Sequence, residues 1–303
     1  AVAALPQWLA AWPHQHSAPQ KLTNIYFETA DNVLRRHDMG LRIRGFDDRY
    51  EMTIKTAGKV VGGLHQRPEY NVAIAEPQLA LAQFPADIWP QDCDIAALQQ
   101  ALQPLFRTDF VREKWVVTYG QSEIEIGLDQ GEVRAGDLGE ALSEVELELL
   151  NGNTADLLAL AGELAAHGGL RQGSLSKAAR GYHLAQGNPP REVRPLRVLK
   201  PAAKATVEQG MIAAFELALG HWQYHEELWL RGDAQARASV IEAVGTIRQA
   251  LVIFGGLVPR KASADLRARL TELEPLLADK AAQPEALCYS AAYLQCKLAL
   301  TSW

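Results

Sequence analysis

The chain has little that would commit it to the commoner kinds of site chemistry. Its 303 residues include three cysteines, Cys93, Cys288 and Cys296, an odd number without metal-ligand or redox spacing. That excludes a disulfide framework and leads us to expect a reducing compartment, the cytoplasm. No Gly-x-x-x-x-Gly-Lys-Ser/Thr occurs, so the usual phosphate-binding loop is absent. No run approaches the roughly 18 apolar residues of a membrane span. Residues 1–12 are apolar but short, are interrupted by Pro6 and lack the basic leader of a signal peptide; they read as a helix. Positive charge is not in excess either. The formal net charge is -6, which argues against a dedicated nucleic-acid binder but leaves room for a local basic cavity. No His-Glu-x-x-His pattern surrounds His221 and His225, whose i, i+4 spacing reads as a partly buried helix face, and His14 and His16 read as solvated residues of a loop over 13–19.

What is present is a segregated charge pattern on strands. Residues 143–150 read Ser-Glu-Val-Glu-Leu-Glu-Leu-Leu; alternation along a strand puts Glu144, Glu146 and Glu148 on one face and Val145, Leu147 and Leu149 on the other. Three carboxylates on one face repel unless water, basic side chains or a divalent cation neutralises them. A half-exposed strand with its polar face in solvent is the plain reading. Earlier strands argue for more. Residues 39–46 present Arg42 and Arg44 on one face, residues 50–56 present Lys55, and residues 66–74 present Arg67 and Glu69. Residues 109–119 present Arg112 and Lys114, with Glu113 on the apolar side, and residues 122–133 present Glu123, Glu125 and Asp129. Together with residues 22–28 this makes seven strand-like segments in 22–150.

If the sheet curls with these faces inward, it encloses cations on several walls and carboxylates on one. Cations of this kind suit a polyanion, Arg as a bidentate clamp and Lys as a point charge. The carboxylates suit Mg²⁺ or Mn²⁺, hard ions that prefer oxygen and bridge to phosphates. An RNA-binding sheet would need aromatic platforms among the cations, and Phe110 is the one strong candidate on a polar face.

Gly40-Leu41-Arg42-Ile43-Arg44, Met52-Thr53-Ile54-Lys55, Arg67-Pro68-Glu69-Tyr70, Arg112-Glu113-Lys114-Trp115, Glu144-Val145-Glu146-Leu147-Glu148 and Ser176-Lys177 occur in an order that resembles the CYTH domain, the triphosphate tunnel metalloenzyme superfamily. The wording around Gly62–Asn71 and Gln172–His183 resembles the bacterial CYTH-CHAD inorganic triphosphatases. The resemblance implies an α+β fold: an antiparallel eight-stranded β-tunnel with flanking helices, then an all-α helical bundle. It implies metal-dependent hydrolysis of tripolyphosphate to pyrophosphate and phosphate. Arg42, Arg44, Lys55, Arg67, Arg112, Lys114, Lys177 and Arg180 would bind substrate, and Glu144, Glu146, Glu148 and Asp129 would hold Mg²⁺ or Mn²⁺. Glu146, Glu148, Lys55 and Arg112 would carry catalysis, with Asp129 orienting a basic side chain or a metal-bound water. Adenylate cyclase of the class IV type, thiamine triphosphatase and a non-catalytic polyphosphate- or nucleotide-binding module stand as alternatives.

The family's Glu-x-Glu-x-Lys strand is expected ahead of Ala1 and is not among the residues here. Inactivity of the chain read from Ala1 onward is therefore one open outcome. Residues 1–187 are expected to form the tunnel, Pro-rich residues 188–201 a linker, and residues 202–303 a CHAD-like helical domain. Its helices are expected over 202–230, 234–254, 264–277 and 284–303. A CHAD domain suggests polyphosphate binding through a run of arginines on one helix, but here Arg248 stands alone inside 240–254, so that role is doubtful. Arg260, Lys261, Arg267 and Arg269 read as a solvated face.

Overall fold

A computed structural model describes residues 1–303. The elements follow in the order α1 (Leu5–Leu9), β1 (His14–Glu28), α2 (Val33–Arg36), β2 (Gly40–Phe46), β3 (Arg49–Lys55), β4 (Lys59–Val61), β5 (Leu64–Gln66), β6 (Glu69–Ile74), α3 (Ile95–Ala101), β7 (Gln103–Tyr119), β8 (Ser122–Ala135), β9 (Leu138–Asn151), α4 (Thr154–Ala165) and α5 (Lys177–Ala185). Five helices complete the chain: α6 (Val207–Leu230), α7 (Ala236–Ile253), α8 (Ala264–Ala278), α9 (Pro284–Cys288) and α10 (Ala291–Ser302). No helix is long and apolar enough to cross a membrane.

Seven strands form one antiparallel sheet in the order β6-β3-β2-β1-β7-β8-β9. Tight turns fall where the sequence permits positive φ. Asp47 and Asp48, both left-handed, close the β2–β3 hairpin, and Gly120 and Gly136 begin the β7–β8 and β8–β9 turns. The sheet curls strongly, bringing Glu69 on β6 close enough to Glu148 on β9 to raise its carboxyl pKa.

The apolar side of the alternation faces outward and is covered. Leu41, Met52 and Ile54 pack under Leu34, Leu81, Phe84, Trp89 and Leu98. Trp115, Val117, Ile124, Ile126 and Leu128 pack under Leu5 and Leu9 of α1 and Leu160 and Leu164 of α4. With that face buried, a one-residue slip in register would expose the whole row, so the polar face is locked toward the concave side. Helix α5 lies across that concave side. Its Tyr182 and Leu184 join Tyr26, Phe106 and Val133 in a small apolar cluster, and an α-carbon without a side chain, Gly181, lets the helix sit against the Phe106 ring.

The helical region has its own core, built from Phe215, Trp222, Val240, Val244, Ile247, Leu266, Leu270, Leu273, Tyr293 and neighbours. The β4–β5 hairpin reaches over to it: Val61 packs against that core, and Lys59 pairs with Glu216 of α6 at 2.8 Å. Residues 188–206 carry no helix or strand.

Two expectations are corrected. The loop expected over 13–19 is the first half of β1, paired with β7 from His14 to Ser17. Pro19, which cannot donate to a ladder, falls in the irregularity between Ser17 and Gln20. His16 there stacks on Trp115 and bonds Glu113 at 2.7 Å, which accounts for a carboxylate on the apolar face. The single helix expected over 284–303 is two helices, because the Ser290 side chain accepts from Tyr293 N–H and starts α10 afresh.

A β-carbon built at Gly181 would lie 2.0 Å from the Phe106 ring. Gly181→Ala is therefore expected to cost about 1–3 kcal/mol by overpacking, read from urea unfolding. A variant as stable as the parent would mean that α5 does not depend on this close approach.

Candidate active site

Cross-strand pairing assembles the acidic wall. Arg112 on β7 stands opposite Asp129 on β8, which stands opposite Glu144 on β9, and Gly127 stands opposite Glu146. Arg112 donates from Nε and Nη2 to the two oxygens of Asp129, each at 2.6 Å, and from Nη2 to Glu146 at 2.8 Å. Gly127 lies beside the Arg112 guanidinium, where a β-carbon would come to 3.4 Å from Nε, ordinary contact distance. From α5, the Lys177 ammonium enters between the carboxylates and bonds Asp129 at 2.8 Å, Glu146 at 2.6 Å and Glu144. Ser176 caps the helix that carries it by accepting from Ala179 N–H. Phe110, fully buried, floors the cluster with its ring 5.5 Å from the Arg112 guanidinium and 5.1 Å from the Lys177 ammonium. Its ring is therefore taken up by cation–π contacts and is not presented as a platform for nucleic-acid bases.

The charges in this cluster hold one another. Burial works to raise the Glu146 carboxyl, but Lys177 and Arg112 outweigh it and hold the group well below the usual carboxylate range. Glu144 goes the other way: burial raises it and the Glu146 charge adds to that, against the pull of Lys177. Lys177 and Arg112 are both raised: burial disfavours their charge, and the carboxylates overcome it. Glu148, further along β9, is raised by burial and then by Glu125, Glu69 and Glu146. Lys114 sits 3.5 Å from Glu125.

The facing wall, on β2, β3 and β6, is cationic and poorly compensated. Arg42 is 3.9 Å and Lys55 3.4 Å from Glu69, the one carboxylate they share. Arg42 Nε is buried without a hydrogen-bond partner. Arg44 donates to Asn24 at 2.7 Å rather than to any carboxylate. Burial, followed by the Arg42 charge, pulls its pKa down to about 10. Burial leads in this shift, with the neighbouring Arg42 and Arg112 charges adding to it against Tyr26 and Glu146. Tyr26 has its phenol lowered: burial would raise it, but Arg42, Arg44 and Lys55 prevail.

Two of the basic residues named from sequence are engaged elsewhere. Arg67 spans two backbone carbonyls, Thr56 at 2.9 Å and Asp38 at 2.6 Å. Arg180 donates to Glu140 Oε1 from Nε at 2.9 Å and from Nη2 at 2.7 Å, and its Nη1 lies 4.0 Å from Glu144. Sequence reasoning passed over Tyr26 and Glu140. Glu140 could have been found by carrying the two-residue period of the glutamate ladder backwards through Leu142; Tyr26 gave no signal, since an aromatic on a strand is ordinarily core.

Oxygen atoms of Asp129, Glu144 and Glu146 lie within 4.8 Å of one another, an all-oxygen donor set. Its chemistry fits a hard divalent ion. The fit is better for Glu144 and Glu146 than for Asp129. Glu146 has half its side chain open to the lumen, whereas Asp129 is fully buried with both oxygens committed to Arg112.

A folded-state pKa below the ordinary 4.5 means that Glu146 stabilises the fold above that pH, and that this stabilisation is lost as the pH falls through the folded value. In chelator-treated buffer, the gap in thermal midpoint between the parent and Glu146→Gln is expected to be widest above pH 4.5 and to narrow in acid. A gap constant with pH would show that the Lys177 and Arg112 contacts do not hold Glu146 charged.

Comparison with known proteins places this geometry. The CYTH domain model matches residues 2–182, and the CHAD domain model matches residues 213–298. An inorganic triphosphatase from Haemophilus influenzae is 39% identical over 180 residues, which are 59% of this chain and 50% of that protein, so the chain spans half the length of this relative. Among solved structures, similarity extends to a candidate adenylyl cyclase from Hippeastrum with a dominant triphosphatase activity, at 20% identity and TM-score 0.45 over 59% of this chain and 88% of that one. It also extends to a candidate adenylate cyclase from Bacillus halodurans, at 20% identity and TM-score 0.32 over 48% and 73%. With its model matched over residues 2–182, well over half of the 303, the chain belongs to the CYTH domain family.

Proposed function

We propose that the lumen binds inorganic tripolyphosphate and cleaves it to pyrophosphate and phosphate, the activity that the Haemophilus influenzae relative is named for. The observation that carries this reading is the unbalanced wall of Arg42, Arg44 and Lys55 facing a carboxylate cluster. One wall carries three cations against the single carboxylate Glu69, with Arg42 Nε unpartnered, and the other offers oxygen ligands to a cation. A polyphosphate joined to a divalent ion supplies both at once.

In this reading Arg42, Arg44, Lys55, Lys114, Lys177 and Arg180 grip the phosphate oxygens, and Arg67 contributes by turning from the carbonyls it now spans. Glu144 and Glu146 hold Mg²⁺ or Mn²⁺, with Glu148 as a further ligand reached directly or through water. A metal bound there would neutralise phosphate charge and lower the pKa of a coordinated water. Asp129 is the anchor of the acidic wall: it fixes Arg112 by both oxygens and so aims that guanidinium at charge developing on the transferred phosphoryl group. Glu148, a carboxylate made more basic by its neighbours, is the group best matched to accepting a proton from the attacking water. Lys55, across the lumen, offsets charge on the departing pyrophosphate. No covalent nucleophile is needed. We assign this reaction to residues 1–187, with 188–201 as a linker and 202–303 as the CHAD-like helical domain. Three free cysteines agree with a cytoplasmic setting.

Phosphate release from tripolyphosphate, ATP and thiamine triphosphate, each with Mg²⁺ or Mn²⁺, tests the reading. Tripolyphosphate is expected to be the preferred substrate, and Arg112→Ala is expected to lower kcat about 10²- to 10³-fold, as loss of an anion-stabilising donor does elsewhere. Preference for ATP or thiamine triphosphate would move the assignment to a cyclase or a thiamine triphosphatase. Tripolyphosphate binding without hydrolysis would leave a phosphate-binding module.

A further inference from the structure

A row of ion pairs runs from the core of the helical region to the carboxylate cluster. Lys297 and Glu226, both fully buried, pair at 3.0 Å. Glu226 also accepts from Arg171 Nη1 at 3.0 Å, and Arg171 Nη2 reaches Glu227 at 2.8 Å. Glu227 accepts from Arg231 Nε at 3.0 Å. Arg231 then leaves the end of α6 and spans both oxygens of Glu140 on β9, with Nη2 3.1 Å from Oε1 and Nη1 3.4 Å from Oε2. Glu140 is the carboxylate that holds Arg180. The stretch leading into α5 is fixed to the same helix, since Gln223 donates to the Gln172 carbonyl at 2.6 Å.

The geometry at Glu140 is unusual in one respect. An arginine facing a lone carboxylate ordinarily engages both oxygens with two parallel bonds. Here Arg180 places Nε and Nη2 on the single oxygen Oε1 and gives Nη2 also to the Ala141 carbonyl at 2.6 Å, while Arg231 reaches both oxygens and is the one donor on Oε2. Restricted in this way, Arg180 keeps Nη1 uncommitted and turned toward Glu144, 4.0 Å away, at the edge of the lumen.

We propose that Arg231 is a positioning residue for the tunnel reaction: by occupying Glu140 Oε2 it denies Arg180 a two-oxygen clasp and keeps one arm of that guanidinium available to the phosphate chain. The helical region thereby sets the affinity of a site to which it contributes no lumen side chain. This inference rests on the triphosphatase reading for its substrate, but its core is the geometry at Glu140. Removal of Arg231 frees Oε2, Arg180 closes on both oxygens, and a cation is withdrawn from the lumen.

The test is steady-state hydrolysis of tripolyphosphate by the full chain, comparing the parent with Arg231→Ala, Arg231→Gln and Arg231→Lys. Interacting neighbours of this kind couple by amounts that correspond to an increase of about five- to tenfold in KM for the first two, with kcat within about twofold of the parent. Arg231→Lys is expected to restore most of the loss, since an ammonium can occupy Oε2. In an Arg180→Ala background, Arg231→Ala is expected to have no further effect. An unchanged KM, or an equal increment with and without Arg180, overturns the proposal. Arg231 is one-third exposed, so its variants are expected to fold, and Arg231→Gln keeps most of the side-chain volume if the alanine variant does not. Should the parent show no hydrolysis, that result bears on the triphosphatase reading and not on the positioning role. The same comparison is then made on the Kd for tripolyphosphate by calorimetry: a five- to tenfold weakening (~1–1.4 kcal/mol) in Arg231→Ala upholds the positioning role, and an unchanged Kd overturns it.

Discussion

The arrangement depends on a buried carboxylate that cannot stand alone. Asp129 is without solvent contact, and an ionised carboxylate in such a place is tolerated only when its oxygens are paired. Arg112 and Lys177 meet that need, one from the neighbouring strand and one from a helix laid across the sheet. Satisfying Asp129 therefore does three things together. It fixes the Arg112 plane, it draws the start of α5 down onto the lumen, and it brings two cations within reach of Glu144 and Glu146. Phe110 beneath both cations, with its ring 5.5 Å from Arg112 and 5.1 Å from Lys177, closes the cluster from below. An acidic wall that would repel itself is held together by basic groups suited to engage an incoming phosphate.

The helical region bears on this wall from outside. Its core is separate from the packing under the sheet, and it meets the tunnel through an apolar contact of Leu294 and Leu298 on α10 with Ala165 on α4, through charge, and through the β4–β5 hairpin, where Val61 and Lys59 cross over. Charge contacts between packed bodies are worth little when exposed and more when enclosed. The Lys297–Glu226 pair is fully buried, whereas the Arg231–Glu140 pair is about a quarter to a third exposed. The connection is thus firm at the helical end and adjustable at the tunnel end.

Much of this was legible in the sequence, and the limits have physical causes. Period-two alternation located the seven strands of the main sheet and the shared face of Arg42, Arg44, Lys55, Arg112 and the glutamates, because one face of each strand is buried and register admits no compromise. The resemblance to the CYTH family supplied the order in which those faces come together. Alternation could not show where α5 would lie, since a helix crossing a sheet is placed by contacts such as Gly181 on Phe106 that leave no periodic trace. Nor could it show that Arg180 answers to Glu140 and Arg231, residues 40 and 51 positions away along the chain. The first half of β1 was missed for a local reason: two prolines and two histidines read as a loop, yet Pro19 falls where the ladder is already broken.

The cationic side of the lumen has a kinetic consequence. A wall on which cations outnumber carboxylates draws in anions from solution, and capture of a charged ligand is quickened by the field in front of it. The same field acts on whatever leaves. For the proposed reaction, pyrophosphate and phosphate together carry at least as much negative charge as the molecule that entered, and nothing in the wall of Arg42, Arg44 and Lys55 distinguishes a phosphate about to react from one that already has. In that reading, release of product competes with bond cleavage as the slow step. Dissolved salt, by weakening the field, then becomes a throttle on turnover as well as on capture.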